Sequence, residues 1–236
     1  MSDNPELSLI IPVGPGEAAD FPLLRQLSLL PSNWEILFAL CEPRADLSSL
    51  VERDFYTVIS SADRAVQMNR ASEVARGRWL WFLHLDSILT AGMISGLQRA
   101  LVVAPEALHY FRLGFAADGA GPTRFNAWGA NLRSRWLGVP FGDQGFCLPA
   151  QVFSALGGYP ERVSYGEDHL LVWYARQAGI ALHEVDATLV TSARKYKRGW
   201  LRLTLLYQWR WLRQAAPECG RLLVRRLARR CLRKTA

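Results

Sequence analysis

"WLWFLHLDSILT", residues 79–90, is an apolar run that ends in a histidine, an aspartate and a serine. Its apolar part, residues 79–83, predicts a strand buried inside the protein. In an open α/β sheet, side chains just beyond the carboxyl ends of the strands face the ligand crevice, which would place His84 and Asp86 there. The alternative is that Asp86 only caps the next helix. The run therefore predicts an α/β sheet with a candidate ligand-binding aspartate at its edge.

Strand and helix signals alternate through the first ninety residues. Further strands are predicted at 7–13 (LSLIIPV), 34–40 (WEILFAL) and 55–59. Helical patterns separate them, the clearest at residues 65–75. Strand–helix units with short connections predict a parallel sheet with right-handed crossovers.

The second half is more mixed. A helix is predicted at 91–103, a strand within 107–116, an aromatic helix at 123–136 and a strand within 181–193. Loops rich in glycine separate these segments. We expect this half to add mixed strands to the parallel first half.

Composition and charge limit the class of protein. The chain has 236 residues, of which 50% are hydrophobic, so it can bury a large core. Its four cysteines lack metal-site spacing, and we expect a reducing, cytoplasmic environment. The N-terminus has acids where a signal peptide has bases, and no apolar segment approaches the roughly 20 residues of a membrane span. The net charge of +7 comes from residues 199–236, which hold ten basic side chains and one acid.

The chemistry of Asp86 and His84 suggests a metal site. A carboxylate at a strand end can hold Mg²⁺ or Mn²⁺ against a diphosphate. His84 lies two residues earlier and points to the same side of an extended strand. An imidazole is a plausible ligand of Mn²⁺ and a poorer one of Mg²⁺. Alternatively, His84 is a hydrogen-bonded neighbour that orients the chain.

A second pair of acids, Glu167 and Asp168, begins a predicted helix. Acids favour helix N-termini through the macrodipole, which is a purely structural explanation. The functional alternative is that one carboxylate is a general base that deprotonates a hydroxyl acceptor. The residues alone leave both explanations open.

Five segments in order resemble family-2 glycosyltransferases of the GT-A fold: LSLIIPV, RAVQMNRASEVARGRWLWFLHLDS, FGDQGFCLPAQVFSALGGYP, GED and TSARKYKRGW. The chain is most similar to a small bacterial subfamily associated with radical-SAM and selenium-related domains. The resemblance covers about residues 7 to 200. It implies a mainly parallel sheet flanked by helices in a domain at 1–198, with a nucleotide-binding half (1–90) and an acceptor half (91–198).

The resemblance also implies roles for individual residues. It assigns the nucleotide-sugar pocket to Pro12, Glu42, Arg64, Gln67, Asn69, Asp86 and Arg194. It assigns the metal, Mn²⁺ or Mg²⁺, to Asp86 and His84, and the acceptor or sugar to Asp143 and Gln144. Asp168 matches the base of an inverting transfer, with Glu167 supporting it. Arg194, Lys195, Lys197 and Arg198 would form a basic lid on the diphosphate or a solvated basic loop.

Two departures from the family pattern suggest an alternative function. After the first strand, relatives have Asn-Glu, whereas here only Glu17 of residues 14–17 can serve. After the second strand, Cys41 replaces the carboxylate that, in relatives, contacts the nucleobase of the donor. A thiol is a weak hydrogen-bond partner. The alternative is therefore a catalytically degenerate scaffold that binds a nucleotide or a protein partner at the membrane surface.

The C-terminal segment, 199–236, predicts a basic amphipathic tail. A Trp-rich helix is predicted up to 213, a break at Pro217, and a second helix with an apolar and an arginine face. Such helices lie in anionic bilayer interfaces, which predicts a peripheral protein on the inner face of the cell membrane with a lipid-linked or membrane-proximal acceptor. The alternative is a helical pair packed on the domain. No base-stacking module supports nucleic-acid binding.

Overall fold

The computed structural model describes residues 4–17 and 21–234, without the side chains of 226 and 228–234. The described strands are β1 (Leu7–Val13), β2 (Trp34–Leu40), β3 (Tyr56–Ile59), β4 (Trp79–Phe82), β5 (Ser87–Ile88), β6 (Leu108–Phe115), β7 (Cys147–Pro149) and β8 (Leu182–Thr191). The described α-helices are α1 (Pro22–Gln26), α2 (Leu47–Leu50), α3 (Arg64–Val74), α4 (Ala91–Val103), α5 (Thr123–Leu137), α6 (Ala150–Ala155), α7 (Glu167–Ala178) and α8 (Trp200–Lys234). Short 3-10 turns lie at Leu27–Leu29, Gly142–Gln144 and Arg194–Arg198.

These strands form one mixed sheet in the order β3-β2-β1-β4-β7-β6-β8-β5. The strands of the first half, β3, β2, β1 and β4, are all parallel, as predicted. β7 then pairs antiparallel with both β4 and β6, while β6 and β8 are parallel. The α/β fold with a helix-flanked, mainly parallel sheet is thereby confirmed.

The core lies on both faces of the sheet, because β1, β2 and β4 are buried along their whole length. Alternate side chains point to opposite faces, so Leu9 packs in the layer with α1 and α4, and Ile10 in the layer with α3 and α7. Strands covered on both faces read as continuous apolar runs, which explains the sequence pattern.

β4 contains the start of the apolar run at 79–90 and ends at the edge of the sheet. Leu83 donates its N–H to the carbonyl of Ile10 at 3.1 Å, so pairing with β1 continues just past the strand end. A turn closed by Ser87 N–H and the carbonyl of His84 follows at 3.0 Å. The next helix, α4, is capped by Thr90, whose hydroxyl accepts from Met93 N–H. The interpretation of Asp86 as a cap for that helix is therefore wrong.

α8 is one helix from Trp200 to Lys234, so the predicted break at Pro217 is wrong. Pro217 is exposed, and the carbonyl it leaves without a helical partner one turn earlier can be hydrated. The inner side of the helix buries Ala215 and Leu222 against Trp173. No helix in the described residues combines the length and apolarity needed to cross a bilayer.

Candidate active site

A cavity of about 660 Å³ lies at the carboxyl edge of the sheet. Its lining includes acidic and basic groups from five segments: Arg64, His84, Asp86, Asp143, Asp168 and Lys195. Residues far apart in the sequence meet here because β1, β2 and β4 are parallel and end at the same edge. This is the place where α/β sheets bind ligands.

Asp168 lies at the start of α7 and faces the cavity. Its Oδ2 accepts the backbone N–H of Gly142 at 2.5 Å and its Oδ1 that of His169 at 2.8 Å. Burial raises the pKa of Asp168, but the Arg64 charge and these two N–H groups outweigh it and hold the pKa below the ordinary value. The carboxylate is therefore ionised at neutral pH and fixed in position.

Arg64 connects α3 to α7 and to the end of β4. Its Nε donates to Glu167 Oε1 at 2.5 Å, and its Nη1 lies 3.3 Å from His84 Nε2. Because a guanidinium only donates, His84 Nε2 accepts and the ring is neutral. Burial and the Arg64 charge lower the pKa of His84 to about 3. This contact favours the hydrogen-bonded alternative for His84.

Asp86 is half-buried and its Oδ1 accepts the hydroxyl of Thr191, on β8, at 3.0 Å. Burial raises the pKa of Asp86, and the Thr191 hydrogen bond and the charges of Arg194 and Lys195 partly oppose this. Because its pKa is raised, the ionised form of this carboxylate would be stabilised by a nearby cation. The thiol, imidazole and carboxylate groups of the described residues form no metal-ligand cluster of three or more. A cation at Asp86 would therefore need its other ligands from water and a bound phosphate group, as Mg²⁺ often does.

The ends of β1 and β2 form the second part of the edge. Glu42 accepts the backbone N–H of Gly16 at 3.2 Å, and Arg194 Nη2 lies 3.2 Å from Glu17 Oε2. The Cys41 thiol lies nearby, 3.8 Å from the carbonyl of Val13. The structure therefore groups Glu42 and Arg194 with Glu17 and Cys41, while Pro12 lies within β1 beside Ala39 of β2.

Gln67 does not line the cavity. It is 3% exposed, and its Nε2 donates to the carbonyls of Val13 and Ala39, each at 2.8 Å. Asn69 also bonds to the protein, because its side chain accepts from Tyr159 N–H and donates to the Tyr159 carbonyl. Both amides hold backbone segments next to the crevice.

Gln144 is fully buried and likewise lies outside the cavity lining. Its Nε2 donates to the carbonyl of Phe111 at 2.9 Å, and its Oε1 accepts the hydroxyl of Ser134 at 2.8 Å. Its neighbour Asp143 does line the cavity, with Oδ2 3.8 Å from Lys195 Nζ. The Gly142–Gln144 turn therefore presents Asp143 to the cavity and uses Gln144 to hold the turn.

Sequence reasoning missed Arg133, on α5. Its guanidinium stacks on the Phe141 ring at 3.7 Å, and its Nε donates to the carbonyl of Val139. Burial lowers the pKa of Arg133 to about 10, against the opposing charges of Asp143 and Asp168. The signal was only a basic residue within an aromatic helix, which by itself indicates no site.

Sequence reasoning also missed that α8 forms a wall of the cavity. Gln214 Oε1 lies 3.2 Å from His169 Nδ1, and Gln214 Nε2 donates to the Tyr165 carbonyl at 2.6 Å. Gly166, with φ of +70°, permits this approach, because a Cβ there would overlap the Gln214 amide. Tyr207 and Trp211 also face the cavity.

The fold is one that solved nucleotide-sugar-binding proteins share. The similar structures include S. aureus TarS residues 1–349, with a TM-score of 0.62, 12% identity, and coverage of 79% of this chain and 60% of that one. The same TarS fragment in complex with UDP-GlcNAc has a TM-score of 0.58 and 13% identity, over 80% and 59% of the two chains. The mannosyltransferase PcManGT from Pyrobaculum calidifontis, in complex with GDP-Man and Mn²⁺, has a TM-score of 0.55 and 16% identity, over 79% and 56%.

These likenesses establish the fold. The chain spans between half and two thirds of the length of each of these three chains. The sequence matches no family model and no curated protein.

Proposed function

We propose that the protein is a glycosyltransferase that moves a sugar from a nucleotide-diphosphate sugar to a hydroxyl acceptor. The observation that carries this proposal is the presence of Asp86 and Asp168 in one cavity at the carboxyl edge of the sheet. The fold shared with a mannosyltransferase solved with GDP-Man supports the donor class. Membership of family 2 and of the radical-SAM-associated subfamily is part of the proposal.

The donor occupies the edge from β2 to β4. The ends of β1 and β2, with Glu42 and Arg194, receive the nucleotide, and Arg194 is suited to phosphate because of its planar guanidinium. Asp86 would hold a divalent cation, and Arg64 contacts His84 next to this position. Bound Mn²⁺ or Mg²⁺ would neutralise charge on the departing diphosphate.

Transfer is a single displacement with inversion at the anomeric carbon. Asp168 takes the proton of the acceptor hydroxyl. At the same time the acceptor oxygen bonds to the anomeric carbon, and the bond from that carbon to the diphosphate breaks. Gly142 and His169 N–H groups orient the carboxylate, and Glu167 holds Arg64 beside it. Asp143 and Arg133 line the same cavity, and we assign them to contacts with the acceptor or the sugar.

The test is a screen of nucleotide sugars with Mn²⁺ or Mg²⁺ that measures free nucleotide released. At least one donor is expected to be consumed, and EDTA is expected to stop the release. Nucleotide binding without any turnover would instead support the catalytically degenerate scaffold. Cys41 favours that alternative, because a thiol is a weak hydrogen-bond partner for the nucleobase.

The domain division and the location of the protein are also proposals. Residues 1–198 would form the catalytic domain, and the basic segment 199–236 would hold it on the inner, anionic face of the cell membrane, near a lipid-linked acceptor. Because Gln214 and Tyr207 belong to the cavity wall, substitutions on the outer side of α8 test this better than truncation.

Substituting Arg64 is expected to change the pH dependence of the reaction. In Arg64→Gln the positive charge beside Asp168 is lost, so the pKa of Asp168 rises and the acid limb of kcat/KM moves to higher pH. A neighbouring opposite charge typically shifts a carboxyl pKa by about one unit or more. The measurement is kcat/KM from pH 4 to 8.

The matched control is Arg70→Gln, on the same helix, where Arg70 pairs with Glu73 at the surface. This control should leave the profile unchanged. An acid limb that stays in place in Arg64→Gln would show that Arg64 does not set the ionisation of the base.

A further inference from the structure

α5 presents an unpartnered apolar stripe to solvent. Phe125, Trp128, Leu132 and Trp136 recur every three or four residues, and Trp128 and Trp136 are 65% and 76% exposed. The opposite side of α5 packs on β6 through Ala127 and Ala130. Two largely exposed tryptophans on one helix face are costly in water and indicate a surface that binds something.

α8 carries a second stripe of the same kind. Leu201, Leu205, Trp209 and Leu212 follow helical spacing, and each is more than half exposed. Leu223 and Leu227 continue the spacing further along the helix. This stripe lies away from the side of α8 that packs on α7.

Hydrogen bonds join the two helices. Asn126 of α5 accepts from Trp200 Nε1 at 2.6 Å and donates to the Thr204 hydroxyl at 2.9 Å. Further along, the Arg133 guanidinium lies 5.9 Å from the Trp211 ring. Both contacts lie further along α8 as they lie further along α5, so the two helices run side by side in the same direction. The two stripes therefore belong to neighbouring outer faces.

The active-site cavity lies between these helices. Asn126 and Arg133 of α5, and Tyr207, Arg210 and Trp211 of α8, all line it. Whatever covers the two stripes therefore lies next to the acceptor side of the cavity.

Charge and composition identify the occupant. Exposed arginines flank the stripes: Arg124 on α5, and Arg202, Arg213 and Arg225 on α8. Two more, Arg135 and Arg221, are exposed but pair with Glu184 and Glu218. Tryptophan prefers the boundary between lipid and water, and arginine beside it attracts anionic head groups. This combination fits an anionic bilayer better than a protein surface, which would need matching acids.

We propose that α5 and α8 together form one bilayer-binding surface, with Trp128 and Trp136 inserted at the lipid interface and the cavity opening beside it. This surface adds α5 to the membrane attachment proposed for residues 199–236. The inference rests on the proposed function only where it treats the cavity as the active site. An acceptor head group in the bilayer could then reach Asp168 while its apolar part stays in the membrane.

The test is flotation of the full chain with vesicles of phosphatidylglycerol and phosphatidylcholine, without any donor. The variant Trp128→Ser with Trp136→Ser is expected to bind at least about tenfold more weakly. The variant Trp209→Ser with Leu212→Ser should lose binding to a similar extent. Val102→Ser with Val103→Ser, two exposed valines of α4 on the opposite side of the sheet, is the matched control and should bind normally.

Unchanged vesicle binding of the α5 variant, with its circular dichroism intact, would overturn the proposal. So would a wild-type chain that ignores vesicles but self-associates through these tryptophans in sedimentation, since the stripes would then join two copies. Because no donor is present, these outcomes are independent of whether the chain transfers sugar.

Discussion

Asp168→Asn is expected to lower the rate of sugar transfer by about 10²–10⁴-fold, the usual contribution of a general base. Asparagine keeps the shape of the side chain but cannot take the proton of the acceptor hydroxyl. Donor binding should be nearly unchanged, because the assigned donor contacts are Glu42, Asp86 and Arg194. The measurement is kcat for transfer with the best donor from the screen, together with the donor dissociation constant.

Asp186→Asn is the control for this experiment. Asp186 is an exposed aspartate on β8 that pairs with Arg112 at the surface. It should leave both constants unchanged. Transfer by Asp168→Asn at the wild-type rate would require a different base, and parallel loss of donor binding would assign Asp168 to the donor instead.

Asp86→Asn is expected to remove most of the dependence on divalent metal and to lower kcat/KM by at least about a hundredfold. A cation bound between a carboxylate and a diphosphate contributes several kcal/mol, and each 1.36 kcal/mol is tenfold in rate. The amide keeps the Thr191 hydrogen bond but removes the charge that holds the ion. The measurements are Mn²⁺ titrations of donor consumption and calorimetry of nucleoside diphosphate binding with and without Mn²⁺.

Asp54→Asn, in the exposed loop before β3, is the control for Asp86. His84→Gln in the same titration separates the two roles of the histidine. A weaker Mn²⁺ affinity would make His84 a ligand, whereas unchanged affinity with slower transfer would make it a partner of Arg64. If Asp86→Asn retained the metal dependence of the wild type, the proposed site would be wrong.

The regular part of the fold was predictable because its strands are buried on both faces. Residues 7–13 and 34–40 are continuous apolar runs, and the structure gives β1 and β2 the same bounds. The helix predicted at 91–103 matches α4 because Thr90 caps its start. Local signals of this kind need no knowledge of distant partners.

The remaining features depend on long-range contacts. No local pattern indicates that β7 enters between β4 and β6, since it is three residues long and pairs only with distant strands. The continuous α8 was missed because Pro217 locally signals a break, while burial of Ala215 and Leu222 against the body holds the helix on either side of it. The motif around Arg64 did not indicate which of its residues face the cavity, since Arg64 does and Gln67 and Asn69 do not.

The Gln67 amide has a consequence for motifs of this kind. By bonding to the carbonyls of Val13 and Ala39, it acts as a spacer that sets the distance between neighbouring strand ends. A side chain can therefore be indispensable to a binding crevice and never touch what is bound. Selection at position 67 would then preserve the width of the crevice.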